Sequence, residues 1–144
     1  MKYSLIIPVY KNEASIQRML DSLTAINQKL GGQLEAVFVV DGSPDQSYAL
    51  LRDAIDNLSF AAQLLTHSRN FGSFPAIRSG LAAARGEFFG VMAADLQEPP
   101  ELFINFFEIL ADDSCDVVIG TRVRRDDPLM SRWASRLFWR LYQR

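Results

Sequence analysis

Asp95 and Gln97 stand one leucine apart, just after an apolar run that contains Phe88, Phe89, Val91 and Met92. Side chains two positions apart in extended backbone point the same way, so a carboxylate and an amide oxygen can converge on one small site. Hard divalent cations take oxygen ligands of this kind, and Mg²⁺ commonly adds one or two protein ligands to the phosphates of a substrate. The spacing therefore predicts Asp95 and Gln97 as metal ligands beside a phosphate-bearing molecule. Pro99-Pro100 then fixes the exit from the run and opens a helix. A plain helix-start turn, with Asp95 as its cap, uses the same residues.

Elements that end in polar residues must bring this corner together. Ser4-Leu5-Ile6-Ile7-Pro8-Val9 reads as a buried strand. A helix over about 13–30 follows, with Ile16, Met19, Leu20, Leu23, Ile26 and Leu30 near one face, and Gly31-Gly32 ends it. Ala36 to Val40 is a second apolar strand, closed by Asp41-Gly42-Ser43-Pro44-Asp45. Further along come a helix over about 46–57, a strand over 61–66, a helix over 74–84, a strand over 87–92, a helix over 100–111 and a fifth strand over 116–120. Strands alternating with helices predict an α/β layer fold around a mainly parallel sheet. Ligands of such sheets bind outside the carboxyl ends of the strands. The polar clusters at Tyr10–Glu13, Asp41–Asp45, His67–Gly72, Asp95–Gln97 and Arg122–Arg125 each follow a strand in this reading.

Composition narrows the classes. A chain of 144 residues that is 49% hydrophobic suits one domain with a buried core and is too apolar for disorder. One cysteine, Cys115, excludes an internal disulfide framework, fits a reducing compartment, and reads as a small buried residue at the start of a strand. No apolar run approaches the roughly 20 residues of a membrane span. Met1-Lys2-Tyr3-Ser4 enters a strand directly, without the form of a signal peptide. Neither a Gly-x-Gly-x-x-Gly after the first strand nor a P-loop is present, which removes dinucleotide oxidoreductases and P-loop enzymes. The single histidine, His67, reads as structural. Net charge is −2, but residues 1–121 carry 8 basic and 15 acidic side chains, and residues 122–144 carry 7 arginines and only Asp126 and Asp127. Basic charge gathered at one end predicts an anionic partner there.

The pieces Ile6-Ile7-Pro8-Val9-Tyr10-Lys11-Asn12-Glu13, Val39-Val40-Asp41-Gly42-Ser43-Pro44-Asp45, Ser68-Arg69-Asn70-Phe71-Gly72, Ala94-Asp95-Leu96-Gln97-Glu98-Pro99-Pro100-Glu101 and Asp116-Val117-Val118-Ile119-Gly120-Thr121-Arg122 occur in this order. With them the chain resembles the inverting family 2 glycosyltransferases of GT-A fold. More closely, it looks like the polyprenyl-phosphate branch, which includes dolichol-phosphate mannose synthases and bactoprenol glucosyltransferases. The resemblance implies a Rossmann-like GT-A nucleotide-sugar-binding domain over 1–125. It implies metal-assisted transfer of a sugar from a UDP- or GDP-sugar to polyprenyl phosphate, with inversion and with Mg²⁺ or Mn²⁺ as cofactor. Two departures stand out. Ala93 occupies the place of the first acid of the family's Asp-Ala-Asp signature, and Val40 precedes a single Asp41 where two acids are common.

Within that resemblance Asp95 is expected to be catalytic and to face the nucleotide as well as the metal. Asp41 lies where a base or ribose can hydrogen-bond to a carboxylate, although Gly42-Ser43-Pro44 also suits an ordinary turn. Pro8, Tyr10 and Glu13 are expected to form the opposite wall, with Asn12-Glu13 also readable as helix-start charges. Arg69 serves either a phosphate or a neighbouring acid. Arg122 and Arg125 are candidate catalytic residues, because a guanidinium fork matches phosphate oxygens and stays charged. With a second pKa of about 6, a lipid phosphate is already largely dianionic at neutral pH and needs positioning more than a general base.

Residues 126–144 read as an amphipathic basic segment at the start of a membrane-proximal region. Arg132, Arg136 and Arg140 share one face, with Trp133 and Trp139 near its borders, as suits a membrane interface or a contact between copies. The expected location is the cytoplasmic side of the membrane, with no nucleic-acid partner. A sugar-hydroxyl acceptor, or a domain that binds nucleotide sugar without turnover because of Ala93, are the alternative readings.

Overall fold

The computed structural model describes residues 1–121. Their elements are β1 (Tyr3–Val9), a 3₁₀ turn (Glu13–Ser15), α1 (Ile16–Lys29), β2 (Leu34–Asp41), α2 (Ser47–Ile55), β3 (Ala61–His67), α3 (Ser73–Ala83), β4 (Phe88–Val91) and α4 (Glu101–Ala111). The strands form one parallel sheet in the order β3-β2-β1-β4. The chain therefore builds outward from β1 through β2 to β3, then returns to the other side of β1 for β4. That reversal opens a crevice at the carboxyl ends of β1 and β4, the place where open α/β sheets bind ligands.

Burial follows from the layers. All eight residues of β2 are buried, as expected for a strand covered on both faces. Alternate side chains serve opposite faces. Ala36, Phe38 and Val40 join Leu5, Ile7 and Val9 in a core shared with Met19 and Leu23 of α1, Leu51 of α2, and Phe103 and Phe107 of α4. Val37 and Val39 point the other way, against Ala76 of α3. Helix α3 lies close because its inner face is small. A Cβ on Gly80 would collide with the side chain of Ile6.

At the amino end of the sheet sits a buried carboxylate, Glu35, which is 1% exposed. It accepts hydrogen bonds from Ser4 Oγ (2.8 Å), Gln63 Nε2 (3.0 Å) and the Arg85 N–H (2.8 Å). Gly86 N–H donates in turn to Ser4 Oγ (2.8 Å). Three strands and the α3–β4 connection are thereby tied at the end opposite the crevice.

The expected fifth strand is not formed among the described residues. Residues 117–120 join no ladder, and Val117 and Ile119 are 70% and 76% exposed. A strand exists only through its pairing, and here the segment passes over α4, where Gly120 meets Phe106. Cys115 is correspondingly exposed, not buried. The boundary expected at residues 125 and 126, and the segment 126–144, lie outside the described residues.

Candidate active site

The crevice is a cleft of about 1190 Å³, walled by the ends of β1, β2 and β4, the β3–α3 loop, α4 and residues 118–121. Its polar edge is built by two loops that lock together. Lys11 takes a left-handed conformation (φ 56°), which turns the chain sharply after β1. The Tyr10 N–H then donates to Asn12 Oδ1 (2.9 Å), the Lys11 N–H to Ser43 Oγ (2.8 Å) and the Asn12 N–H to Ser47 Oγ (3.2 Å). Glu13 and Asp45 exchange partners across the loops. The Glu13 N–H donates to Asp45 Oδ2 (3.1 Å), and the Gln46 N–H donates to Glu13 Oε2 (2.9 Å). Asp45 also accepts from Ser43 Oγ (2.6 Å), Ser47 Oγ (2.9 Å) and the Ser47 N–H (3.1 Å), so it satisfies the open start of α2. Burial opposes its ionisation, but these donors outweigh burial and draw its pKa down to about 2.

Asp41 closes β2 and is 3% exposed. Its carboxylate accepts from the N–H groups of Phe71 (3.0 and 3.1 Å) and Gly72 (2.7 Å), and lies 2.7 Å from His67 Nδ1. The far side of the ring, His67 Nε2, is 2.9 Å from Ser79 Oγ. Burial again disfavours the anion, yet Phe71, His67 and Gly72 together hold the Asp41 carboxyl below its ordinary value. Gly42 (φ 60°) makes this possible, because a Cβ there would strike the backbone of Arg69 and Asn70. Asp41 borders the cleft, with most of its acceptor capacity committed to fixing the β3–α3 loop.

Asp95 and Gln97 face the cleft from the exit of β4. They converge, but not through the extended backbone expected from their spacing. Residues 93–96 form a turn closed by Leu96 N–H to the Ala93 carbonyl (3.3 Å), and Leu96 is left-handed (φ 57°). This conformation is uncommon for a residue with a Cβ. The Leu96 side chain packs onto the main core, which holds the turn in place. Gln97 Nε2 donates to Asp95 Oδ2 (2.8 Å), and the Gln97 N–H approaches Oδ1 (3.3 Å). Ser15 Oγ reaches the Ala94 carbonyl (2.9 Å), tying this corner to the start of α1.

Of the residues expected to contact nucleotide, Pro8, Tyr10, Asp41 and Asp95 line the cleft. Glu13 and Arg69 do not line it: Glu13 is held at the start of α2, and Arg69 stacks over the Phe71 ring at 4.4 Å. Arg122 and Arg125 lie outside the described residues. Sequence reasoning missed the bracing roles of Asn12, Ser43, Asp45 and Ser47, although an aspartate in a turn commonly accepts from the N–H two residues on, as Asp45 does from Ser47. It also missed the apolar wall of Phe89, Leu102, Phe103, Phe106 and Leu110, whose members come from two elements.

A parallel sheet with a polar cleft at its topological reversal defines an open α/β ligand-binding domain. The model of glycosyl transferase family 2 matches residues 4–144, and the chain belongs to that family. The undecaprenyl-phosphate 4-deoxy-4-formamido-L-arabinose transferase of Pseudomonas aeruginosa (strain LESB58) is 39% identical over 134 residues, which are 93% of this chain and 39% of that protein. The protein of the same description from Enterobacter sp. (strain 638) is 36% identical over 142 residues, covering 99% of this chain and 43% of its own. The chain thus spans about two fifths of the length of the curated relatives it matches. Among solved structures, S. aureus TarS superposes with a TM-score of 0.69 at 25% identity, over 87% of this chain and 39% of that one. The mannosyltransferase PcManGT of Pyrobaculum calidifontis, solved with GDP-Man and Mn²⁺, gives 0.65 at 24% identity, over 86% and 36%.

Proposed function

We propose that this chain is the catalytic part of an inverting glycosyltransferase that moves a sugar from a UDP- or GDP-sugar to polyprenyl phosphate. The observation that carries the proposal is the Asp95–Gln97 corner, set at the carboxyl end of β4 in a cleft large enough for a nucleotide sugar. The similarity to transferases named for undecaprenyl phosphate supports the lipid phosphate as acceptor.

The corner fits a divalent cation of the Mg²⁺ or Mn²⁺ kind. Asp95 is exposed and offers a carboxylate to the cleft, and the amide of Gln97 can turn its oxygen toward the same point. Among the described residues no cluster of three or more acidic, histidine or cysteine side chains forms a self-sufficient metal cage. A single carboxylate, completed by substrate phosphates, is the donor set Mg²⁺ commonly uses. Asp95 and Gln97 would hold such a cation, which would supply electrostatic stabilisation to a diphosphate leaving group. The chain's own residues orient the reactants. Pro8 and Tyr10 form one wall for the nucleoside, and Asp41 shapes the other by holding the loop around Asn70 and Gly72. Glu13 and Arg69 lie outside the lining and act on the site only through the loops that border it. Arg122 and Arg125 position the acceptor phosphate, which needs no carboxylate base.

Residues 126–144 would meet the membrane on its cytoplasmic side, where they also suit a contact between copies. Residues 1–125 would be the catalytic unit. Among the described residues no helix is long and apolar enough to cross a membrane.

Ala93 supports a second reading. It lines the cleft beside Asp95 and brings no carboxylate, as would suit a domain that binds nucleotide sugar without turnover. Both readings are tested with the full-length protein, polyprenyl phosphate, Mn²⁺ or Mg²⁺, and a panel of UDP- and GDP-sugars. Glycolipid formation supports the transferase. Metal-dependent nucleotide binding without product supports the binding domain. Absence of both would end the two readings together.

A further inference from the structure

Helix α3 is alone on its side of the sheet among the described residues, and its outer face has an unusual make-up. The inner face is Ala76, Gly80 and Ala83, packed on β1 and β2. Opposite them, at helical spacing, stand Phe74, Arg78 and Leu81. Phe74 is 83% exposed and Leu81 is 42% exposed. The loop before the helix adds a half-exposed Phe71 with Arg69 stacked over its ring. The turn after the helix adds Arg85, whose side chain is 72% exposed, with its Nε 3.9 Å from Glu35 Oε1.

Charge separates this face from the rest of the domain. Residues 57–86 contain three arginines and no acid, although residues 1–121 as a whole carry 15 acids against 8 basic side chains. Among the described residues no carboxylate lies within ion-pair distance of Arg69 or Arg78. Exposed aromatic and aliphatic side chains interleaved with arginine fit the boundary between lipid head groups and acyl chains.

We propose that the outer face of α3, centred on Phe74, Arg78 and Leu81, docks on an anionic lipid bilayer. Phe74 and Leu81 enter the head-group layer, and Arg78, Arg69 and Arg85 meet lipid phosphates. The amino end of α3 borders the cleft through Gly72, Ser73 and Ile77, so this docking brings the cleft mouth beside the bilayer. The surface does not depend on the identity of the acceptor or on turnover.

The test places a polarity-sensitive fluorophore at Phe74→Cys in a Cys115→Ser background of the full chain. The control label is at Ile109→Cys, on the exposed side of α4 in the opposite layer. Vesicles of phosphatidylcholine with phosphatidylglycerol, without polyprenyl phosphate or nucleotide, should shift the label at 74 to an apolar signal and leave that at 109 unchanged. Arg78→Glu should lower the fraction of labelled chain that shows this shift on the order of tenfold at low salt, and Phe74→Ser with Leu81→Ser should lower sedimentation with the vesicles. A label at 74 that stays in water on bound vesicles overturns the proposal. So does a label already shielded before lipid is added, which would assign the face to a second copy or to another part of the chain.

Discussion

On the proposed function, Asp95 is the cleft side chain whose replacement should be felt most. Asp95→Asn keeps the shape and removes the charge. Loss of a metal-ligand interaction should lower glycolipid formation on the order of 100-fold, and Gln97→Ala about 10-fold. Calorimetry of UDP or GDP with Mn²⁺ should show weaker metal-dependent binding for both variants, with unfolding midpoints unchanged because both side chains are exposed. Unaltered turnover in Asp95→Asn would remove the metal assignment. Ala93→Asp adds the carboxylate that the family signature carries, so Mn²⁺ affinity should rise, as read by titration in the presence of the nucleoside diphosphate.

The loops behave as a braced unit, and their chemistry predicts stability more than rate. Asp45 satisfies the start of α2 and clasps the β1 loop, so Asp45→Ala should destabilise the fold by about 1–2 kcal/mol in urea unfolding. The effect depends on pH. The folded pKa is lowered from 3.8 to about 2, so this stabilisation is fully present above about pH 4 and is lost as pH falls toward 2. Gly42→Ala meets two obstacles, a left-handed φ that costs about 1–2 kcal/mol with a Cβ and a collision with the backbone of Arg69–Asn70. It should displace the β3–α3 loop and weaken nucleotide binding as well as lower stability. Hydrogen exchange of the Phe71 and Gly72 amides, both held by Asp41, would report the displacement.

Across the fold, a second bracing cluster lies at the end of the sheet opposite the cleft. Glu35 sits at the amino end, among Ser4, Gln63 and the Arg85 N–H. Burial opposes its ionisation, but these donors prevail and its pKa is lowered. Glu35→Ala leaves buried donors without partners and should destabilise by about 3 kcal/mol. Because the cleft is remote, KM and kcat should change little at temperatures where the variant is folded. Glu35, Asp41 and Asp45 all have lowered folded values, so the stability they contribute is present above their unfolded range and is lost as pH falls through that range toward the folded values. Chelation should abolish sugar transfer without moving the unfolding midpoint, since no described element is built around a metal cluster.

Local patterns in the chain were sufficient for α1, β1 and β2, because an amphipathic period and an uninterrupted apolar run are each readable within one segment. They also placed the polar residues at strand ends, since a parallel sheet puts ligands there whatever its strand order. Residues 116–120 show where such reading stops. Their apolar composition suits a strand, but a ladder needs a neighbour, and which segment lies beside β4 is settled by packing. The same holds for the site. Spacing nominated Asp95 and Gln97, yet they meet through a left-handed Leu96 that the core holds in place. Asp41 was legible as a polar strand end. Its engagement with Phe71, Gly72 and His67 required two strands to align, because residues 26 to 31 positions apart touch only after the sheet has formed.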